Sequence, residues 1–269
     1  MFRVVCSLLL YVFSCIIFVA LAGWLVYAVG LGDPILASFA GITLATWIMV
    51  RFFDHGRLPE LGLIWCPGRL RELALGLALP FFLMAGILFT EWVAGWLLIT
   101  GLRPQPAALL YNLRVFAMVA WYEELSVRGY LFRTLRRALP IWAAQAFSAF
   151  FFAGLHAMNP GATLPALFGV FLAGLLLGLA CHATDGLYLP MAFHFSWNFF
   201  QAFFGFPVSG QPFPGLFSLV REGPTLITGG PFGPEAGLLG FTAVLAAGGV
   251  IFSYVRRDGH ARRPDPSPL

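Results

Sequence analysis

The sequence predicts an all-α polytopic membrane protein, with about eight transmembrane helices in one bundle. Three observations carry this. Hydrophobic residues make up 59% of the 269 and charged residues 10%, with a mean hydropathy of +0.84, whereas an average soluble domain carries roughly 25% charged residues. The apolar residues fall in unbroken runs of about 17–25, enough for a helix to cross a core ~30 Å thick. Barrel strands would instead alternate over about ten residues. Finally, all 16 basic residues are Arg, and 12 of them fall on alternate connections. These are Arg3, the group Arg51, Arg57, Arg69 and Arg71, the group Arg133, Arg136 and Arg137, and the tail group Arg256, Arg257, Arg262 and Arg263. With eight spans, the positive-inside rule then puts both termini in the cytoplasm. The same rule explains the net charge of +4 as anchoring to anionic lipid, so no nucleic-acid partner is expected.

The eight segments are residues 7–29, 34–50, 73–99, 108–130, 141–158, 164–182, 187–206 and 236–255. The first follows Met1-Phe2-Arg3 like a signal peptide, but its apolar stretch continues to Val29, longer than a cleaved leader needs. It is expected to stay as a span. The second is short and opens at Pro34, and the third runs through Glu91 to the Trp96 region. The fourth holds Arg114, Glu123, Glu124 and Arg128, which makes it the least lipid-like. Pro140 marks the turn into the fifth, Asp185-Gly186 the turn into the seventh, and a Gly/Pro-rich outer loop over 207–235 precedes the eighth. The tail at 262–269 is expected to be disordered. Cys6, Cys15, Cys66 and Cys181 are scattered and form no metal or disulfide pattern. We divide the chain into N-terminal helices and connector (1–107), a core of helices (108–206), and the outer loop, last helix and tail (207–269).

Charges at mid-bilayer cost at least ~2.5–3.5 kcal/mol each, so those in the core need a reason. Glu124 and Arg128 are i,i+4 neighbours with the acid first, the favourable order for a helical ion pair. Glu123 points about 100° away and lacks such a partner. Glu123 lies 17 residues before Pro140 and His156 lies 16 after it. In an antiparallel hairpin that brings them level to within about one residue's rise of ~1.5 Å. His194 and Asn198 share one face of the seventh segment among large aromatics. Glu123 and His156 lie ~25 Å along their helices from the Pro140 turn, which points to the outer side. His194, in contrast, is only ~10 Å into its span from the cytoplasmic side. The levels meet if the fourth–fifth hairpin protrudes by roughly 15 Å, which would put the site in the cytoplasmic half.

Three ordered motifs result: Glu123-Glu124-x-x-x-Arg128, Phe152-x-x-x-His156 and His194-x-x-x-Asn198. On separate apolar segments, they resemble the CPBP family of intramembrane proteases, which includes type II CAAX prenyl proteases and bacteriocin-processing proteins. The resemblance covers about residues 108–206. It implies an endopeptidase that hydrolyses a membrane-anchored protein or peptide within the lipid bilayer. Glu123 would act as general base, His156 would orient the water, and His194 and Asn198 would donate to the oxyanion. Glu124, Arg128 and Phe152 would support them. The lack of a His-Glu-x-x-His motif and the presence of Asn198 favour catalysis without a cofactor. The alternative, in line with a description of the family as metalloproteases, places zinc on Glu123, His156 and His194, two His and a carboxylate being suitable ligands. The rivals from other classes are a non-catalytic immunity or scaffold protein and a small-solute transporter, the latter disfavoured by the lack of internal repeats. The absence of Lys, with high Arg, Ala, Leu and Gly, points to a GC-rich genome and so to a bacterial inner membrane.

Overall fold

Every one of the eight apolar segments forms a helix in the structure, a computed structural model in which residues 1–258 are described. The expected disordered tail lies outside those residues. The longer helices are α1 (Phe2–Ala28), α2 (Pro34–Ile48), α3 (Arg69–Val93), α4 (Pro106–Glu124), α5 (Ile141–Leu155), α6 (Leu164–Thr184), α7 (Tyr188–Phe203) and α8 (Leu238–Asp258). Among the described residues, five stretches are long and apolar enough to cross a membrane: Phe2–Ala28, Pro34–Phe53, Arg69–Val93, Leu164–Thr184 and Leu238–Arg257. Helix α5 is apolar but shorter. Helix α7 has 16 residues, and α4 carries Arg114, Glu123 and Glu124.

Local chemistry sets several boundaries. Asp33 caps α2, its Oδ1 accepting from the N–H groups of Ile35 and Leu36, with Pro34 pre-set for the first turn. Thr163 caps α6 in the same way through Ala166. Asp185 ends α6 in the left-handed region at φ +46°.

Two segments depart from the sequence expectation. The third apolar run is not helical to residue 99. Its helix stops at Val93, Gly95 turns the chain at φ +71°, and Leu97–Leu102 form strand β1. Strand β1 pairs antiparallel with β2 (Phe217–Arg221) from the Gly/Pro-rich connector, so the fold is not purely α. An apolar run alone does not tell helix from strand, and here the partner strand decides. The fourth segment is α-helical only to Glu124, and Leu125–Phe132 continue as a π-helix. Such widened turns occur mostly at functional sites. The Ser126 hydroxyl donates to the Glu123 carbonyl across the transition.

Helix α7 lies at the centre, packed along α3 and against α4 and α6, while α5 runs along α6 and α8 covers α6. Small residues permit the close approaches. A Cβ on Gly76 of α3 would lie 2.7 Å from Ala192 Cβ on α7. Helix α1 buries only Tyr11, whose hydroxyl bonds Thr46 of α2 at 2.9 Å. Leu8, Leu10 and Cys15 pack against the same cluster as Tyr11, while Phe2, Leu9, Phe13, Ile16 and Trp24 are exposed, as lipid contact requires.

The two ends of the bundle are fastened differently. At the Arg-rich end, buried Arg69 pairs with Glu72 at 2.9 Å and donates to the Thr184 and Asp185 carbonyls. Arg133 pairs with Asp185 at 3.0 Å and Arg137 with Asp54 at 2.6 Å. At the far end, Arg221 of β2 pairs with fully buried Glu91 of α3 and donates to the carbonyls of Thr228 and Gly230. Glu91 is therefore an internal tether between α3 and β2.

Candidate active site

Glu124 is the hub. Its Oε1 accepts from Arg128 Nη1 at 2.8 Å and from His194 Nδ1 at 2.8 Å, and neither Glu124 nor Arg128 is exposed. The π-helix keeps Arg128 one turn from Glu124, and its other Nη group donates to the Gly174 carbonyl of α6. The Glu124–Arg128 pair matches the sequence expectation. The bond to His194 was not legible in sequence, because it joins α4 to α7 across 70 residues.

Phe152 brings the second motif to the first and third. The Arg128 guanidinium sits 4.2 Å above its ring, a desolvated cation–π contact. The His156 ring is 4.9 Å away, and the His194 ring meets it edge-on at 5.8 Å. The three motifs therefore touch through one phenyl ring.

The bonds of the two imidazoles constrain their roles. The His156 Nδ1–H donates to the Phe152 carbonyl at 2.9 Å, which leaves Nε2 with a lone pair able to accept a proton from water. The His194 Nδ1–H donates to Glu124. Its Nε2 faces Glu123 Oε2 at 3.8 Å, beyond hydrogen-bond range. Glu123 Oε2 is buried and has no hydrogen-bond partner in the protein, so Glu123 is the unpaired acid that the sequence predicts. The expected neighbour is different, however: Glu123 meets His194, and His156 turns its Nδ1 to its own helix.

A cavity with about 50 Å³ of room is lined by His156, His194 and Asn198, with Phe152, Leu177 and Trp197 among its apolar walls. That is space for a few water molecules. Ser209 and Glu235 also line it; neither belongs to a motif, and only their position within the Gly/Pro-rich loop marked that region in the sequence. Both come from the connector at the end opposite the Arg-rich turns. The cavity therefore reaches toward that far end: His156 caps the far end of α5, whereas His194 lies in the first half of α7.

Among the described residues no three His, Cys, Asp or Glu side chains converge as metal ligands. The Nδ1 bonds of His194 to Glu124 and of His156 to the Phe152 carbonyl leave both Nε2 atoms as the nitrogens open to a ligand.

Residues 105–200 match the family model described as Rce1-like, type II CAAX prenyl endopeptidase. No curated protein matches the chain. The matched stretch holds Glu123, Glu124, Arg128, Phe152, His156, His194 and Asn198, and excludes α1–α3, the connector and α8. The site thus lies in an Rce1-like domain of a protease family, consistent with the CPBP intramembrane proteases, within an integral membrane protein.

Proposed function

We propose that the protein is an intramembrane endopeptidase whose core is residues 108–206, with Glu123 activating the attacking water. The observation that carries this reading is the contact of all three motifs around Phe152, beside the half-buried Glu123 whose Oε2 has no hydrogen-bond partner among the described residues. Hydrolysis begins when Glu123 takes a proton from water held by His156 Nε2, and the hydroxide attacks the peptide carbonyl carbon. Asn198 donates its amide N–H to the oxyanion. His194 can join it from Nε2 only as an imidazolium, since its Nδ1–H is engaged by Glu124; the Glu124 carboxylate supplies the counter-charge for that form while Glu123 holds the proton taken from water. Collapse of the tetrahedral intermediate breaks the C–N bond, and the proton on Glu123 passes to the leaving amine.

The substrate in this reading is a membrane-anchored protein or peptide. We assign all eight helices as spans, with the Arg-rich end and both termini in the cytoplasm of a bacterial inner membrane. The test is cleavage of lipid-anchored, quenched-fluorescent peptides by the full chain in nanodiscs, beside a comparison of membrane proteomes with and without the protein. No cleavage and unchanged proteomes would overturn it.

Two further results are expected. Asn198→Ala should lower kcat by ~10²–10³-fold with little change in KM, because an oxyanion donor acts after attack. His194→Ala should show a similar loss, and the double variant should fall short of the product of the two. Strictly multiplicative losses would assign the residues to separate tasks. Activity should also survive exhaustive treatment with EDTA and phenanthroline; its loss, restored by added zinc, would reinstate the metal version.

A further inference from the structure

Glu235 belongs to none of the motifs and lies outside the matched residues, yet it lines the same cavity as His156, His194 and Asn198. It sits in a single 3₁₀ turn, Pro234–Ala236, and is 7% exposed. Its Oε1 accepts from the Ser209 backbone N–H at 2.5 Å and the Ser209 hydroxyl at 3.1 Å, and its Oε2 accepts from Gln201 Nε2 of α7. All three donors are neutral, and no guanidinium or imidazole pairs with it. The turn is also rigidly seated, since its carbonyl packs against Gly169 of α6 with no room for a Cβ there.

Glu124 is offset by Arg128, and Glu123 stands 3.8 Å from the His194 imidazole. Glu235 is held by neutral donors alone. Burial pushes its carboxyl up to about 6, which still leaves it ionised at neutral pH. A buried charge held only by neutral donors costs stability, and a neutral residue could tether the connector as well. In an apolar cavity such a lone charge discriminates strongly between ions of opposite sign.

We propose that Glu235 is a specificity-determining residue, a fixed negative charge in the cavity wall that selects peptides with a cationic side chain beside the scissile bond and rejects acidic ones. The proposal rests on the peptidase reading, and its test must separate the two. The full chain carrying Glu123→Gln, which blocks turnover, is placed in nanodiscs with fluorescent lauroyl-anchored peptides. The peptides are uncharged except for Lys, Gln or Glu at each position in turn, and binding is followed by anisotropy. At one position the Lys peptide should bind about tenfold tighter than the Glu peptide, the scale of one complementary charge in a desolvated site. Adding Glu235→Gln should bring the two to within about twofold, and Glu235→Asp should restore the order. Equal binding of Lys and Glu peptides at every position, no binding at all, or a preference that survives Glu235→Gln would overturn the proposal. If Glu235→Gln fails to fold, the comparison of Lys and Glu peptides without it decides alone. Absence of cleavage of these peptides by the wild type would defeat the peptidase reading and leave this result standing.

Discussion

Glu123→Gln is expected to reduce peptide cleavage by ~10³-fold or more while leaving the thermal unfolding midpoint unchanged or slightly raised. The loss follows from removing the general base, whose contribution is typically 10²–10⁴-fold. The preserved fold follows from the geometry: Glu123 Oε2 is buried without a hydrogen-bond partner and stands 3.8 Å from His194 Nε2. An amide of the same shape removes a buried charge and breaks no bond. The measurement is turnover and thermal unfolding of the two proteins in the same detergent. Full activity in a folded Glu123→Gln protein would remove Glu123 from the mechanism and favour a non-enzymatic role for the bundle.

Glu124→Ala is expected to do the opposite first, lowering stability by about 3–5 kcal/mol, the cost of breaking a buried ion pair by removing one partner. Arg128, with no exposure, would keep only the Gly174 carbonyl and the Phe152 face, and His194 Nδ1 would lose its acceptor. Activity should fall as well, since His194 would no longer be held in one orientation. Folded yield and unfolding midpoint report the first effect, and activity per folded molecule reports the second. A Glu124→Ala protein as stable as wild type would show that the hub does not hold α4 to α7. Matching behaviour of the Glu123 and Glu124 variants in both assays would end the division of roles between the adjacent acids.

The pairing of Glu124, and not Glu123, with Arg128 was legible from spacing alone. Glu124 and Arg128 are four apart and Glu123 is not, and the pair survives even where the helix widens into π geometry. The eight helical segments were equally legible, because long apolar runs in a bilayer must satisfy their backbone internally. The end of α3 was not. Residues 97–102 are as apolar as a helix, and only the pairing with 217–221 makes them a strand. The Glu91–Arg221 tether eluded the sequence for the same reason, since its partners lie 130 residues apart.

What the sequence determined by itself was therefore what periodicity and hydrophobicity encode: a helical membrane protein, the helices that bear the reactive groups, and the ion pair within one of them. The tertiary structure alone decided which groups face each other between helices. It set His194 on Glu124 with Glu123 at its other nitrogen, turned the Nδ1 of His156 to the Phe152 carbonyl, and brought Ser209 and Glu235 into the cavity wall. The physical reason is that a helix fixes the relative position of residues three or four apart. The level and rotation of one helix against another depend on packing, such as the Gly76–Ala192 and Gly169–Glu235 approaches, that no single segment encodes.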